Sequence, residues 1–305
     1  MPVVPSSRLL ALGLLVVALA GAGCGERAEP VGTLAQPYPV TVQGAGDQPT
    51  VLQGRAQRIV ALDPGSAELL VALGAGDQLV GVPTGVRVPG AKPEKVVRRT
   101  GTIDVDEAVG LKPDLIVATQ TADQLDVARI QRAADAAVYI QPAASLLNVE
   151  QGAIDLGFLV GAAPEARQLV GRIQQDVNTI QQRLADVPPI SVFVDTGFFI
   201  TVSDRSLLGD LVKRAKGMSV AGPSPGPGPY PLADLRDANP QVFLATSDSD
   251  TTLASLRANP VTADLAAVRK KRVGIVPAQL VNRAGPRVAQ GLEAIARALH
   301  PDAFK

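Results

Sequence analysis

Arg58-Ile59-Val60-Ala61-Leu62-Asp63 is a short apolar run closed by an acid, and Leu111-Lys112-Pro113-Asp114-Leu115-Ile116-Val117-Ala118 is a second run entered through a proline turn. The same order recurs in the other half. There Ser191-Val192-Phe193-Val194-Asp195 is followed by a helical stretch over 207–215 and then by Ala238-Asn239-Pro240-Gln241-Val242-Phe243-Leu244-Ala245. The interval from Asp63 to Pro113 is nearly that from Asp195 to Pro240. Apolar runs without alternation, separated by helical patterns, predict parallel strands covered on both faces. The fold class is therefore α/β, with two Rossmann-like lobes of mostly parallel sheet. Two such lobes leave a cleft between them, and a cleft is where a ligand binds.

Working outward, the first lobe reads as strand 59–62, helix 66–73 ended by Gly74, strand 79–82, helix 106–111, strand 115–118, helix 123–134 and strand 137–140. A small hairpin is expected ahead of it, with its turn at Gly44-Ala45-Gly46-Asp47. Pro164 suits the first turn of a long helix in which Leu169, Ile173, Val177, Ile180 and Leu184 share a face, and Pro188-Pro189 stops it. About 23 residues make a rod of roughly 35 Å, long enough to bridge two lobes and limit their closure. The second lobe ends with strand 273–276 and helix 286–299. Its Pro- and Gly-rich run, 222–231, is neither helix nor central strand; it is a surface loop or a cleft rim carrying Tyr230. The expected division is a leader at 1–24, a flexible tether at 25–37, an N-terminal lobe at 38–163, a bridging helix at 164–187 and a C-terminal lobe at 188–305.

The 305 residues are 46% hydrophobic, and 29 basic residues balance 29 acidic ones, which gives nucleic-acid binding little electrostatic support. The single histidine, His300, sits near the end of the last helix and the single cysteine, Cys24, near the N-terminus, so no Cys-His or Ser-His arrangement has a plausible second member. For the same reason no site for a transition metal is expected, and no catalytic residue or cofactor. Arg8 and the apolar run 9–20 have the form of a secretory leader, too short to span a membrane. Cys24 after Gly21-Ala22-Gly23 resembles the lipobox of bacterial lipoproteins, with Gly21 where a large aliphatic residue is usual. That implies a lipidated Cys24 and a location in the cell envelope, tethered outside the cytoplasmic membrane.

Three segments carry a wider likeness: 58–74 (Arg58 to Gly74, with Asp63-Pro64-Gly65-Ser66-Ala67-Glu68 at its centre), Gly101 to Ala118, and Gly285-Pro286-Arg287-Val288-Ala289-Gln290-Gly291-Leu292-Glu293. With the long helix between them, they make the chain resemble the class III periplasmic binding proteins of the vitamin B12, haem and ferric siderophore ABC importers. The resemblance implies a monomeric, non-enzymatic receptor that holds an iron chelate or a corrinoid between its lobes and hands it to a membrane permease. An envelope interaction protein with the same bilobal fold is the alternative. Loops at the C-terminal ends of strands supply the expected cleft residues: Pro64, Gly65, Ser66, Thr84, Gly85, Gln120, Thr121, Phe198, Phe199, Ser203, Asp204, Arg205, Tyr230, Ser247, Asp248, Asn282 and Arg283. Phe198 and Phe199, read as extended, should point to opposite faces, one to the core and one to cargo. Arg283 is expected to meet an anionic ligand, and Glu68 to be structural. The family also presents one acid per lobe to its permease, seven positions before the motif proline. Here those positions are Asp106 and Ala233, with Glu107 and Asp234 one residue later, so Asp106, Glu107 and Asp234 are the docking candidates.

Overall fold

The computed structural model describes residues 36–223 and 228–305. The leader, Cys24, almost all of the tether and the centre of the Pro/Gly loop lie outside the described residues.

The hairpin is present as β1 (Val40–Val42) and β2 (Thr50–Leu52), paired antiparallel. The N-terminal lobe follows with β3 (Ile59–Ala61), α1 (Pro64–Ala72), β4 (Leu79–Pro83), β5 (Glu94–Val97), α2 (Val105–Gly110), β6 (Leu115–Thr119), α3 (Gln124–Ala134), β7 (Ala137–Gln141) and α4 (Leu146–Leu159). Helix α5 (Ala163–Arg183) leads into the C-terminal lobe. That lobe contains β8 (Ile190–Asp195), α6 (Leu207–Arg214), β9 (Gly217–Ser219), α7 (Leu232–Ala238), β10 (Val242–Thr246), α8 (Leu253–Ala258), α9 (Ala266–Arg269), β11 (Val273–Val276), α10 (Ala278–Val281) and α11 (Val288–Leu299). The last helix begins two residues beyond Pro286, and β5 and α4 carry no signal that the reading above used.

Both sheets are wholly parallel, in the orders β5-β4-β3-β6-β7 and β11-β10-β8-β9. The duplicated unit forms the centre of each, with Ile59 opposite Leu115 and Val192 opposite Val242. Its proline turns share one geometry: Lys112 and Asn239, each just before the proline, adopt left-handed backbone angles (φ 47° and 42°). The residue after the proline then ties the turn to the neighbouring strand. Asp114 accepts from the backbone N–H groups of Gln57 and Arg58 at 2.7 and 3.0 Å, and the Gln241 side chain accepts from Ser191 N–H at 3.1 Å.

Strand periodicity sorts the core into three parts. Ile59 and Ala61 join Val192, Val194, Val242 and Leu244 in one core that spans both lobes, through α1, α4, α5 and α11. Val60, Leu62, Ile116 and Ala118 face a separate core on the far side of the first sheet, and Phe193, Phe243 and Ala245 one on the far side of the second. Helix α5 buries Leu169, Ile173, Val177 and Ile180 and packs on α4 of one lobe and α11 of the other. At its C-terminal end the Phe304 ring sits between the guanidinium groups of Arg183 and Arg297, at 5.5 and 4.7 Å.

Candidate functional site

A cavity of roughly 530 Å³ lies between the lobes. Its N-terminal wall comes from the ends of β3, β6 and β7: Asp63 and Pro64, Thr119 to Thr121, and Ala143 with Ala144. The C-terminal wall comes from Val202, Arg205 to Leu208 at the start of α6, and Val281 to Ala284 after α10. This is the switch-point position, where strand ends leave loops free to diverge. None of these lining residues is aromatic. A hollow of similar size, roughly 520 Å³, lies between the hairpin and α3, wholly within the N-terminal lobe.

Asp63 anchors the N-terminal wall. Its carboxylate accepts from the N–H groups of Gly65 and Ser66 at 2.7 and 3.3 Å, and from the Ser66 hydroxyl at 2.8 Å, so it caps α1. Burial pushes the Asp63 carboxyl above its ordinary range, against the lowering pull of those hydrogen bonds and of the Arg283 charge. The hydroxyls of Thr119 and Thr121 bond to each other at 2.8 Å. On the opposite wall Arg205 is exposed and makes no ion pair among the described residues. Arg283 reaches from the cleft to Glu68 on α1, Nη1 to Oε1 at 2.5 Å, and Arg287 holds both oxygens of the same carboxylate at 3.0 and 3.1 Å.

Of the residues expected at the cleft, Pro64, Gln120, Thr121, Arg205, Asn282 and Arg283 are brought together on its walls. The others lie elsewhere. Gly65 is pressed against the opposite lobe, where an added Cβ would meet the backbone of Ala284 at 2.8 Å, and Ser66 is fully buried on Asp63. Thr84 and Gly85 form an exposed turn at the end of β4, one strand removed from the sheet centre. Asp204 lines a separate pocket with Val194 and Lys213, because Arg205 N–H and the Ser206 hydroxyl both bond to Ser203 and close a tight turn around it. Ser203 donates to Pro223 O at 2.8 Å, Ser247 accepts from Ala278 N–H at the start of α10, and Asp248 is exposed outside the cleft. Tyr230 packs on Phe193, ring centroids 5.4 Å apart, and donates its hydroxyl hydrogen to Val220 O.

The aromatic pair departs from the extended reading. Gly197, Phe198 and Phe199 have φ of 127°, 53° and 60°, so the chain turns in the left-handed region instead of alternating faces. Asp195 holds that turn by accepting from Gly197 N–H at 2.9 Å and from the Thr251 hydroxyl at 2.5 Å. Phe199 packs edge-on against Phe243, while Phe198 is 83% exposed. Arg283 lines the cleft and also pairs with Glu68, a carboxylate it shares with Arg287. Nothing local in the sequence marks Asp63, Thr119, the alanines at 143–144, Val202, Ser206 to Leu208, Val281 or Ala284 as cleft residues, or Arg287 as a partner of Glu68. The one usable signal was Glu68, a lone charge in the otherwise apolar helix Ala67-Glu68-Leu69-Leu70-Val71.

The docking candidates are exposed and occupy equivalent places: Asp106 and Glu107 in the first turn of α2 before β6, Asp234 in the first turn of α7 before β10. No helix among the described residues is long and apolar enough to cross a membrane.

A family model described as periplasmic binding protein matches residues 59–280. An uncharacterised ABC transporter substrate-binding lipoprotein of Bacillus subtilis, YvrC, is 28% identical over 308 residues, covering 96% of each chain. A cobalamin-binding protein of Halobacterium salinarum is 25% identical over 275 residues, 86% of this chain and 74% of its own. The crystal structure of the periplasmic vitamin B12-binding protein BtuF of Vibrio cholerae superposes with a TM-score of 0.71 at 22% identity, over 82% of this chain and 98% of that one, which shows a shared fold.

Proposed function

The chain belongs to the periplasmic binding protein family and is a substrate-binding protein of the ABC-importer type, not an enzyme; on that premise we propose that it captures an iron chelate, ferric siderophore or haem, or a corrinoid, and delivers it unchanged to a membrane permease. The observation that carries this reading is the interlobe cavity, whose volume suits a small-molecule ligand and whose two walls come from different lobes. Its chemistry is that of a non-covalent binder. Amide and hydroxyl groups of Gln120, Thr121 and Asn282 offer hydrogen bonds, and Arg205 offers a positive charge. The relatives named for cobalamin favour the corrinoid, while a lining without aromatic rings favours cargo held through its oxygen atoms. Phe198, presented on the strained turn after β8, is a further cargo contact in this proposal.

The same reading makes 1–24 a lipoprotein-type leader ending at Cys24 and cleaved just before it, makes Cys24 the lipidated N-terminus and makes 25–37 its tether, with the protein working as a monomer outside the cytoplasmic membrane. That the Bacillus relative is named a lipoprotein supports the anchor. Fluorescence or native mass-spectrometric titration with cobalamin, haem and a panel of ferric siderophores tests the receptor reading. At least one should bind more tightly than about 100 μM, roughly −5.5 kcal/mol; failure of all of them would favour the envelope interaction protein. Alanine at Asp106, Glu107 and Asp234 together should leave cargo binding intact and lower uptake through the native permease. Undiminished uptake would remove those carboxylates from the docking surface.

A further inference from the structure

The lobes also touch beside the cargo cleft, at a place that the long helix does not account for. The segment 282–287, between α10 and α11, belongs to the C-terminal lobe but lies against the start of α1 in the N-terminal lobe. Four contacts hold it there, two of them on one carboxylate. Arg283 and Arg287 both grip the carboxylate of Glu68, across sequence separations of 215 and 219. Gln141, at the end of β7, donates its amide hydrogen to Ala284 O at 2.8 Å and is fully buried. Gly65 and Gly285 meet backbone to backbone: a Cβ on Gly285 would stand 3.3 Å from the Gly65 Cα, and one on Gly65 would stand 2.8 Å from the Ala284 carbonyl oxygen. The segment is braced from behind as well, where Gly291 of α11 abuts Leu280 so closely that no side chain fits between them.

The charge arithmetic of this cluster is lopsided. Two guanidinium groups share one carboxylate, all three partly withdrawn from water, with side-chain exposures of 32% and 39% for Arg283 and Arg287 and 19% for Glu68. Removing the carboxylate would leave two like charges with only the capping Asp63 close to Arg283 as a counter-charge, whereas removing Arg287 alone leaves the Arg283 pair whole. Arg283 is at the same time a wall residue of the cleft. The cluster therefore ties the position of one cleft wall to the opposite lobe.

We propose that Glu68, Arg283 and Arg287, with the Gly65–Gly285 contact and the Gln141 bridge, form a second joint between the lobes that sets their separation, and that Glu68 is a positioning residue holding Arg283 in the cleft wall. The joint does not depend on which cargo the cleft accepts. It makes the base of the cleft a fixed edge, so that lobe movement is a rocking about two fastenings, α5 and this clasp.

Spin labels test it. In the full chain carrying Cys24→Ser, labels at Leu125→Cys on α3 and Met218→Cys on β9, both exposed, report the interlobe distance by double electron–electron resonance. Glu68→Gln should shift or broaden that distribution, and Arg287→Gln should do the same to a smaller degree. Hydrogen exchange at the amides of Gly65, Ser66, Ala67, Ala284, Gly285, Arg287 and Val288 should speed up by about tenfold or more in Glu68→Gln, as expected when a local tie is released. Arg297→Gln, which breaks an exposed pair within α11, is the control and should leave the distribution as in the parent. A merely local structural role would lower the thermal midpoint of Glu68→Gln without moving the distance distribution, and that result would overturn the proposal. Should Glu68→Gln not fold, the double variant Arg283→Gln with Arg287→Gln decides, since it removes both partners of the carboxylate: an unchanged distribution there overturns the joint equally.

Discussion

Phe198 and His300 show how a single side chain can be placed against its intrinsic preference. A non-glycine residue in the left-handed region costs roughly 1–2 kcal/mol, and such strain persists where surrounding bonds over-determine it. At Phe198 those bonds come from Asp195 and Thr251, and the result is an aromatic ring in solvent. Phe198→Gly relieves the strain at the cost of glycine's extra chain entropy, about 0.5–1 kcal/mol, so thermal stability should stay level or rise by up to about 1.5 kcal/mol. Cargo affinity should fall in the same variant; a lowered midpoint with unchanged affinity would make the ring structural. His300 is buried, and its Nε2 lies 3.0 Å from Ala215 O, a geometry that suits a neutral ring donating to that carbonyl. Burial pushes its pKa down, more than the nearby carbonyls raise it. The unfolded chain therefore takes up a proton near the ordinary value of about 6.5 while the folded one resists, so stability is lost as pH falls through that value toward the lowered one. His300→Gln should flatten the loss of urea midpoint between about pH 7.5 and pH 5.5 relative to the parent; an unchanged slope would show that other groups cause it.

Helix α1 illustrates what a local signal reaches and where it stops. Asp63, Pro64 and the apolar run to Leu73 specify a cap, a first turn and a buried face without reference to the rest of the chain. The need for glycine at position 65 is different, since its backbone is helical and unstrained. It is glycine because Ala284 arrives from the other lobe. Gly65→Ala, ordinarily helix-favouring by about 1 kcal/mol, should here lower stability by about 1–3 kcal/mol through overpacking, as read by denaturant unfolding. A neutral or stabilising outcome would mean that the 282–287 segment yields easily, and would weaken the clasp with it. The long helix was legible in outline because its period of apolar residues is unbroken, but α4 was not. Glu150, Asp155 and three glycine or alanine positions on its buried side disguise the stripe, and Asp155 is buried only because Tyr139 and Gln151 bond to it at 2.8 Å each.

Both lobes draw on one continuous core, so they should not unfold separately. Calorimetry of the full chain should show a single transition, and two resolved transitions would mean that α5 and the clasp join lobes of independent stability. Lobe number, parallel sheets and the bridging rod could be read from residue order, because burial periodicity and proline turns act over a few positions at a time, and the family from the likeness of three short segments. Which loops face each other could not. Phe198 turned to solvent and the exclusion of Ser66 and Tyr230 from the cavity follow from contacts inside one lobe, to Asp195 and Thr251, to Asp63, and to Phe193 and Val220, whereas Arg283 meeting Glu68 depends on how one lobe is rotated on the other. That rotation is set by packing and ion pairs between residues more than two hundred positions apart, and no local pattern encodes it.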